Sequence, residues 1–186
     1  MAYYDWQYVF WNLKTTRWND NSGNVKEIIE VGAVKLDQSL NFMSKYHSYV
    51  QPRMCPILSN YCVTTNRVSQ EQVDAAPTFV QMLKEFMPWI GVGRVKTISW
   101  GSKEKQHFVY NCQMYGKPYK WVSKNVDLKK RFSKITDIER PTFKKALDHL
   151  QIAYELDDTS SLYIAQKSSE IAVAIKDDMD FFKKVW

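Results

Sequence analysis

The sequence predicts a single α/β domain, residues 1–186, built on a mixed β-sheet. Three observations lead there. Apolar and β-branched runs at 8–16, 27–37 and 42–50 are joined by short connections, as in an antiparallel meander. Two later runs, 95–100 and 121–126, are set off by segments of helical periodicity, which calls for parallel crossovers. With 45% hydrophobic and 15% aromatic residues, a chain of 186 residues can bury a full core.

Each element has a local reason. In 8–16, Tyr8, Phe10 and Asn12 fall on one face of the strand and Val9, Trp11 and Leu13 on the other. Residues 17–25 carry turn chemistry and read as a loop. In 27–37, Ile29, Val31, Ala33 and Lys35 share a face, while Ile28, Val34 and Leu36 serve others. The strand 42–50 closes at Gln51-Pro52, and Leu58, Tyr61 and Cys62 give 56–65 helical spacing. Ser69 caps a short turn through Val73, with Gln72 as its capping-box partner; Thr78 caps the next helix, with Gln81 in the same role. That helix carries a core stripe of Phe79, Met82, Leu83, Phe86 and Trp89, and Pro88 and Gly91 end it. After 95–100, a helix reaching Tyr115 turns Phe108, Cys112 and Tyr115 inward and stops at Gly116. Short helices are expected at 128–132 and 142–150. Thr159 caps a last helix whose spacing of Met179, Phe182 and Trp186 carries it to the end.

Composition narrows the function classes. The net charge of +6 and pI of about 9.1 suit contact with a polyanion as well as they suit a Lys-rich solvated surface. Cys55, Cys62 and Cys112 make an odd count, and Cys55 and Cys62 have no nearby histidine, so free thiols are expected rather than zinc. No apolar run is long enough for a membrane span and no leader pattern opens the chain. An intracellular protein, cytoplasmic or nuclear, without membrane contact is expected.

Residues 10–16 read Phe-Trp-Asn-Leu-Lys-Thr-Thr. With one residue inserted after Phe10, this resembles the first motif of the DEDDh 3′-to-5′ exonucleases, F-D-x-E-T-T. Further segments agree: EIIEVGAVKLD at 27–37, PILSNYC at 56–62, VSQEQVDAAPTF at 68–79 and Ser99-Trp100-Gly101. Together, from about Gln7 to Ile175, they are similar to the branch that holds the Eri-type and histone-mRNA 3′ exonucleases. The resemblance implies an RNase H-like fold, a mixed five-stranded sheet flanked by helices. It also implies a chemistry in which two Mg²⁺ or Mn²⁺ ions, held by carboxylates, activate water and stabilise the leaving oxygen, with a histidine as general base.

The positions that would carry this chemistry are altered. Asn12 and Lys14 stand at the first motif's carboxylates, and Glu104 matches the Asp of the second motif. Anchoring the third motif on Glu170-Ile171-Ala172 places Leu162 at the histidine and Lys167 at the last carboxylate. Four family carboxylates are thus replaced by one neutral, one acidic and two basic residues. Two like charges about 4 Å apart repel by on the order of 4 kcal/mol at an effective dielectric of 20. Two lysines should therefore abolish a two-metal site, and Leu162 cannot accept a proton.

The expectation is a catalytically inactive exonuclease-like domain with no cofactor. It would bind RNA or single-stranded nucleic acid through Lys14, Thr15, Thr16, Arg17, Trp18, Lys103 and Lys167, in a setting of RNA processing or small-RNA silencing. Trp11 and Trp18 are candidates for stacking on bases; Trp11 is read rather as core, while for Trp18 packing in the loop is the alternative. An alternative is a protein-interaction scaffold on a nuclease fold, with Met179, Phe181, Phe182 and Trp186 docking on this domain or on a protein partner. A third reading, an active enzyme with a remodelled Mg²⁺ or Mn²⁺ site, would have to recruit Glu104, Asp157, Asp158 and Glu30. Oligomeric state is open.

Overall fold

A computed structural model describes residues 6–19 and 25–179. β1 (Gln7–Thr15), β2 (Ile28–Leu36) and β3 (Phe42–Tyr49) form the expected antiparallel meander. The helices α1 (Asn60–Asn66), α2 (Gln70–Asp74) and α3 (Phe79–Ile90) follow. β4 (Val95–Ser99) then pairs with β1 in parallel. After α4 (Lys103–Met114), β5 (Val126–Asp127) pairs with β4 in parallel. The helices α5 (Leu128–Thr136), α6 (Phe143–His149) and α7 (Ser161–Ala174) complete the described chain. The sheet order is β3-β2-β1-β4-β5, a mixed five-stranded sheet with helices on both faces, as expected for the RNase H-like class.

The alternation along β1 divides the core. Val9, Trp11 and Leu13 pack with Phe79, Met82 and Phe86 of α3 and with Phe108 and Cys112 of α4. Tyr8 and Phe10 pack on the opposite face with Leu128 and Phe132, Leu147, and Ala165 and Ile171 of α7. Trp11 is fully buried, its ring 5.6 Å from those of Phe108 and Trp121, and its Nε1 donates to Asn125 Oδ1 at 2.9 Å. All three cysteines are free, and burial pushes the Cys112 thiol up to about 12.

Local capping signals hold well. Ser69 with Gln72 and Thr78 with Gln81 both form complete capping boxes. Other boundaries need correction. The segment 56–65 is helical only from Asn60, because Ser59 is the N-cap. Upstream, the buried Glu27 carboxylate accepts the backbone N–H groups of Arg53, Met54 and Cys55 and the hydroxyl of Tyr115, which holds that stretch out of a helix. Pro88 does not end α3. It sits exposed in the last turn, and the burial of Phe86 and Ile90 carries the helix to Gly91 at φ 86°. The run 121–126 is mostly not strand. Lys120–Val122 form a 3₁₀ turn that delivers Trp121 to Trp11, leaving two residues for β5. On β2, Ile28 joins the face of Val31 and Ala33 while Ile29 packs with Leu58 and Cys62, because the register shifts between Lys14 and Thr15. The last helix is capped by Ser160 rather than Thr159 and ends at Ala174. Phe181, Phe182 and Trp186 lie outside the described residues.

α7 reaches the sheet at one point of very close approach. A Cβ on Gly32 would lie 2.0 Å from the Leu162 backbone nitrogen and 2.2 Å from the Ser161 carbonyl carbon. Neither atom can swing aside as a side chain can. Gly32→Ala is expected to cost at least about 3 kcal/mol and to lower Tm by about 6–12 °C in thermal unfolding. An unchanged Tm would mean that α7 lifts freely from the sheet.

Candidate functional site

The residues at the altered positions come from the end of β1 and the start of α4. Asn12 and Lys14 lie two apart on β1, so both face the side of the sheet covered by α7. Asn12 Nδ2 donates to Glu104 Oε1 at 3.1 Å. The register places Lys14 opposite Glu30 and Asn12 opposite Gly32. Lys14 Nζ lies 2.8 Å from Glu30 Oε2 and donates to the Asn66 carbonyl at 2.7 Å, with only 12% of the lysine side chain exposed. The other oxygen of Glu30, Oε1, lies 2.9 Å from His47 Nε2 and accepts the Ser161 backbone N–H at 2.8 Å. Burial alone would raise the pKa of Glu30. His47, Lys14 and the Ser161 N–H outweigh it and hold the carboxyl below its ordinary value.

Glu104 is in the opposite condition. Its Oε2 is buried and has no hydrogen-bond partner among the described residues, and burial, then the charge of Asp127, push its pKa up. One helical turn further along α4, His107 faces the same small cavity of about 100 Å³, whose lining includes Lys14, Arg17, Lys103 and Glu104. Burial first, then Lys26, Lys103 and Arg17, lower the His107 pKa, so the ring is neutral at pH 7.

The structure separates the sequence-expected residues into groups. Arg17 and Lys103 are exposed at the cavity, and Trp18 is half-buried. Lys14 is not a free cation, because Glu30 neutralises it. Thr15 and Thr16 are buried and structural: Thr16 Oγ1 donates to the Val25 carbonyl and accepts the Glu27 N–H. Leu162 lies in the first turn of α7, its backbone against Gly32 beside Asn12. Lys167 does not join Lys14. It pairs with Glu170 at 2.9 Å and lines a separate groove with Val34, Leu36 and Phe42. The recruitable acids are also scattered. Asp157 is almost wholly exposed beside Arg67, and Asp158 accepts the Ser160 N–H.

Hard divalent cations need several anionic oxygens. An amide, a neutralised ammonium and one carboxyl with a raised pKa do not fit a pair of such ions. Among the described residues no three of His, Cys, Asp and Glu gather into a group that could hold a metal. Sequence reasoning missed the roles of Glu30 as counter-charge, of His47 and Asn66 as its neighbours, and of His107. The strand register signals the first, and the three-residue spacing from Glu104 signals His107.

Comparison with known proteins places the geometry in context. The exonuclease (RNase_T) family matches residues 15–98. Human 3′-5′ exoribonuclease 1 is 27% identical over 165 residues, 83% of this chain and 47% of that protein. Zebrafish (Danio rerio) ERI1 exoribonuclease 2 is 38% identical over 80 residues, 42% of this chain and 14% of that protein. The chain thus spans about half the length, or less, of these curated relatives. Among solved structures, a 3′-exonuclease in 3′-end-specific recognition of a histone mRNA stem-loop superposes with a TM-score of 0.84 at 23% identity, covering 96% of this chain and 84% of that one. The nuclease domain of 3′hExo, a DEDDh family member bound to rAMP, gives 0.83 at 24% identity, covering 95% and 94%.

The two glutamates carry opposite pH signatures. Glu30 has a depressed pKa, so its stabilisation is present above the unfolded value and lost as pH falls through the folded one. Glu104 has a raised pKa, so its contribution is present below the unfolded value and lost as pH rises through the folded one. Glu104→Gln keeps an acceptor for Asn12 and removes the buried charge. It is expected to raise Tm at pH 7 and to flatten the decline from acid to neutral pH. Lys14→Met, which strands Glu30, is expected to cost on the order of 3 kcal/mol in urea unfolding at pH 7.

Proposed function

We propose that this chain, homologous to the Eri-type DEDDh 3′-to-5′ exonucleases, is a single exonuclease-like domain that has lost catalysis and binds RNA or single-stranded nucleic acid. The observation that carries the reading is the Lys14–Glu30 ion pair. An ammonium group stands where the family holds a metal-binding carboxylate, and it is fixed there by a buried counter-charge. Asn12 engages Glu104, so the remaining carboxylate of that set is tied to an amide. The domain needs no metal for binding: Arg17 and Lys103 at the cavity present cations to phosphate, and neutral His107 offers a hydrogen bond beside them. The kinship suggests RNA processing or small-RNA silencing as its setting, in the cytoplasm or the nucleus.

A second reading, a protein-interaction scaffold, is favoured by one observation. Met54, on the stretch whose backbone Glu27 holds, is 62% exposed, and Ile57 just past it is 75% exposed, close in sequence to exposed Tyr61. A prearranged apolar edge of this kind suits a protein partner.

One incubation with 5′-labelled single-stranded RNA and Mn²⁺, divided between denaturing and native gels, separates the readings. Intact, retarded RNA is expected, with at least about tenfold weaker binding by the Arg17→Glu, Lys103→Glu double variant. Shortened RNA would overturn the loss of catalysis. RNA both intact and unretarded would favour the scaffold.

A further inference from the structure

A second concentration of positive charge lies away from β1, at the edge strand β5. A groove of about 490 Å³ runs between β5 and α5, with Lys124, Lys130, Arg131 and Lys134 in its lining. All four side chains belong to exposed residues, and none forms an ion pair with a described residue. The acid in the groove, Asp127, is engaged: its carboxylate caps α5 by accepting the Lys130 N–H at 2.9 Å. On α5, Leu128 and Phe132 turn into the core, which leaves Lys130, Arg131 and Lys134 on the outer surface.

The floor of the groove is rigid. Asn125 accepts Trp11 Nε1 at 2.9 Å through Oδ1 and donates to Ser99 Oγ at 2.8 Å through Nδ2, which ties the start of β5 to β1 and β4. β5 pairs with β4 on one side, at Ile98↔Val126 and Ser99↔Asp127. Past Ser99 the chain turns directly into Lys103 and Glu104, and the charge of Asp127 is felt at Glu104. The groove and the cavity at Lys103 therefore occupy neighbouring positions at one end of the sheet.

We propose that the β5–α5 groove is a second nucleic-acid contact, a track that holds the phosphates of a single strand whose other part lies at Arg17 and Lys103. The proposal rests on the nucleic-acid reading of the preceding section and adds where most of the affinity arises. Four cations that pair with no described residue outnumber the one carboxylate, Asp127, on this concave surface, and a polyanion relieves their mutual repulsion. Among the described residues no aromatic side chain lines the groove, so the track grips backbone and leaves base identity unread. Apolar anchors for a bilayer are likewise missing from its lining, in which Val126 is half-buried.

The test is the salt dependence of binding, followed by fluorescence anisotropy with a labelled oligouridine of about 20 nucleotides over a KCl series. The groove variant is Lys130→Ala, Arg131→Ala, Lys134→Ala. A control variant of equal charge removes Lys84, Lys144 and Lys145, which are exposed elsewhere. Each lost single-strand phosphate contact lowers the slope of log K against log[salt] by about 0.7, so the groove variant is expected to lose about 2 in slope and at least tenfold in affinity at 0.1 M salt. The control should keep its slope within about 0.5 of the parent. Near-UV circular dichroism checks that both variants are folded. An equal change in both variants, or none in the groove variant while the parent binds, overturns the track and leaves the function intact. A parent protein that binds no RNA overturns both. Tight binding of polyglutamate by the parent, competing equally with RNA, would identify the groove as an acidic-protein site and overturn the proposal.

Discussion

Glu30 lies inside the sheet on β2, 1% exposed, and stays ionised there because three other elements each bring it a partner. β1 supplies the Lys14 ammonium, β3 the His47 ring and α7 the Ser161 amide. A buried carboxylate deprived of such partners would carry a desolvation penalty of several kcal/mol. The arrangement therefore constrains registry more than it adds stability. A slip of one residue between β1 and β2 would send Lys14 to the other face and deprive Glu30 of its ammonium partner. The Gly32 contact two positions away fixes how closely α7 comes down, so one short stretch of β2 sets the position of both the strand and the helix beside it.

The same interaction redistributes charge over the molecule. Lys14 is neutralised by Glu30 at the end of β1, and Lys167 by Glu170 in a separate groove. Cations that form no ion pair with a described residue include Arg17 and Lys103 at the small cavity and Lys130, Arg131 and Lys134 along α5. The proposed nucleic-acid contact therefore rests on a shallow periphery, where charge tolerates variation in the ligand.

What the sequence made legible was local or strictly periodic. The capping boxes at Ser69 and Thr78 depend on residues three apart, and the two faces of β1 depend only on alternation. Misreadings arose where a residue answers to something distant. Trp121 looks like a strand residue but serves as an anchor against Trp11 and Phe108. Residues 56–59 have helical spacing, yet their neighbours answer to Glu27, some 26 positions away. The altered motif positions were readable as residue types. Their electrostatic state was not, because the charge of Lys14 is decided by its neighbour on β2, which a count along motif positions leaves out.

The Glu27 clasp has a consequence for the chemistry of the exposed chain. Arg53 and Met54 are solvent-exposed, and the Arg53–Met54 peptide bond is of the type trypsin cuts. Yet the amides of Arg53, Met54 and Cys55 all point inward to one carboxylate, and a protease must pull its substrate into an extended strand whose amides point elsewhere. Cleavage at this bond requires three hydrogen bonds to one buried carboxylate to break together, so the backbone here is expected to resist proteolysis while its side chains meet solvent. Accessibility of side chains and accessibility of backbone are separate properties here, and a partner that reads only side chains finds this edge already arranged.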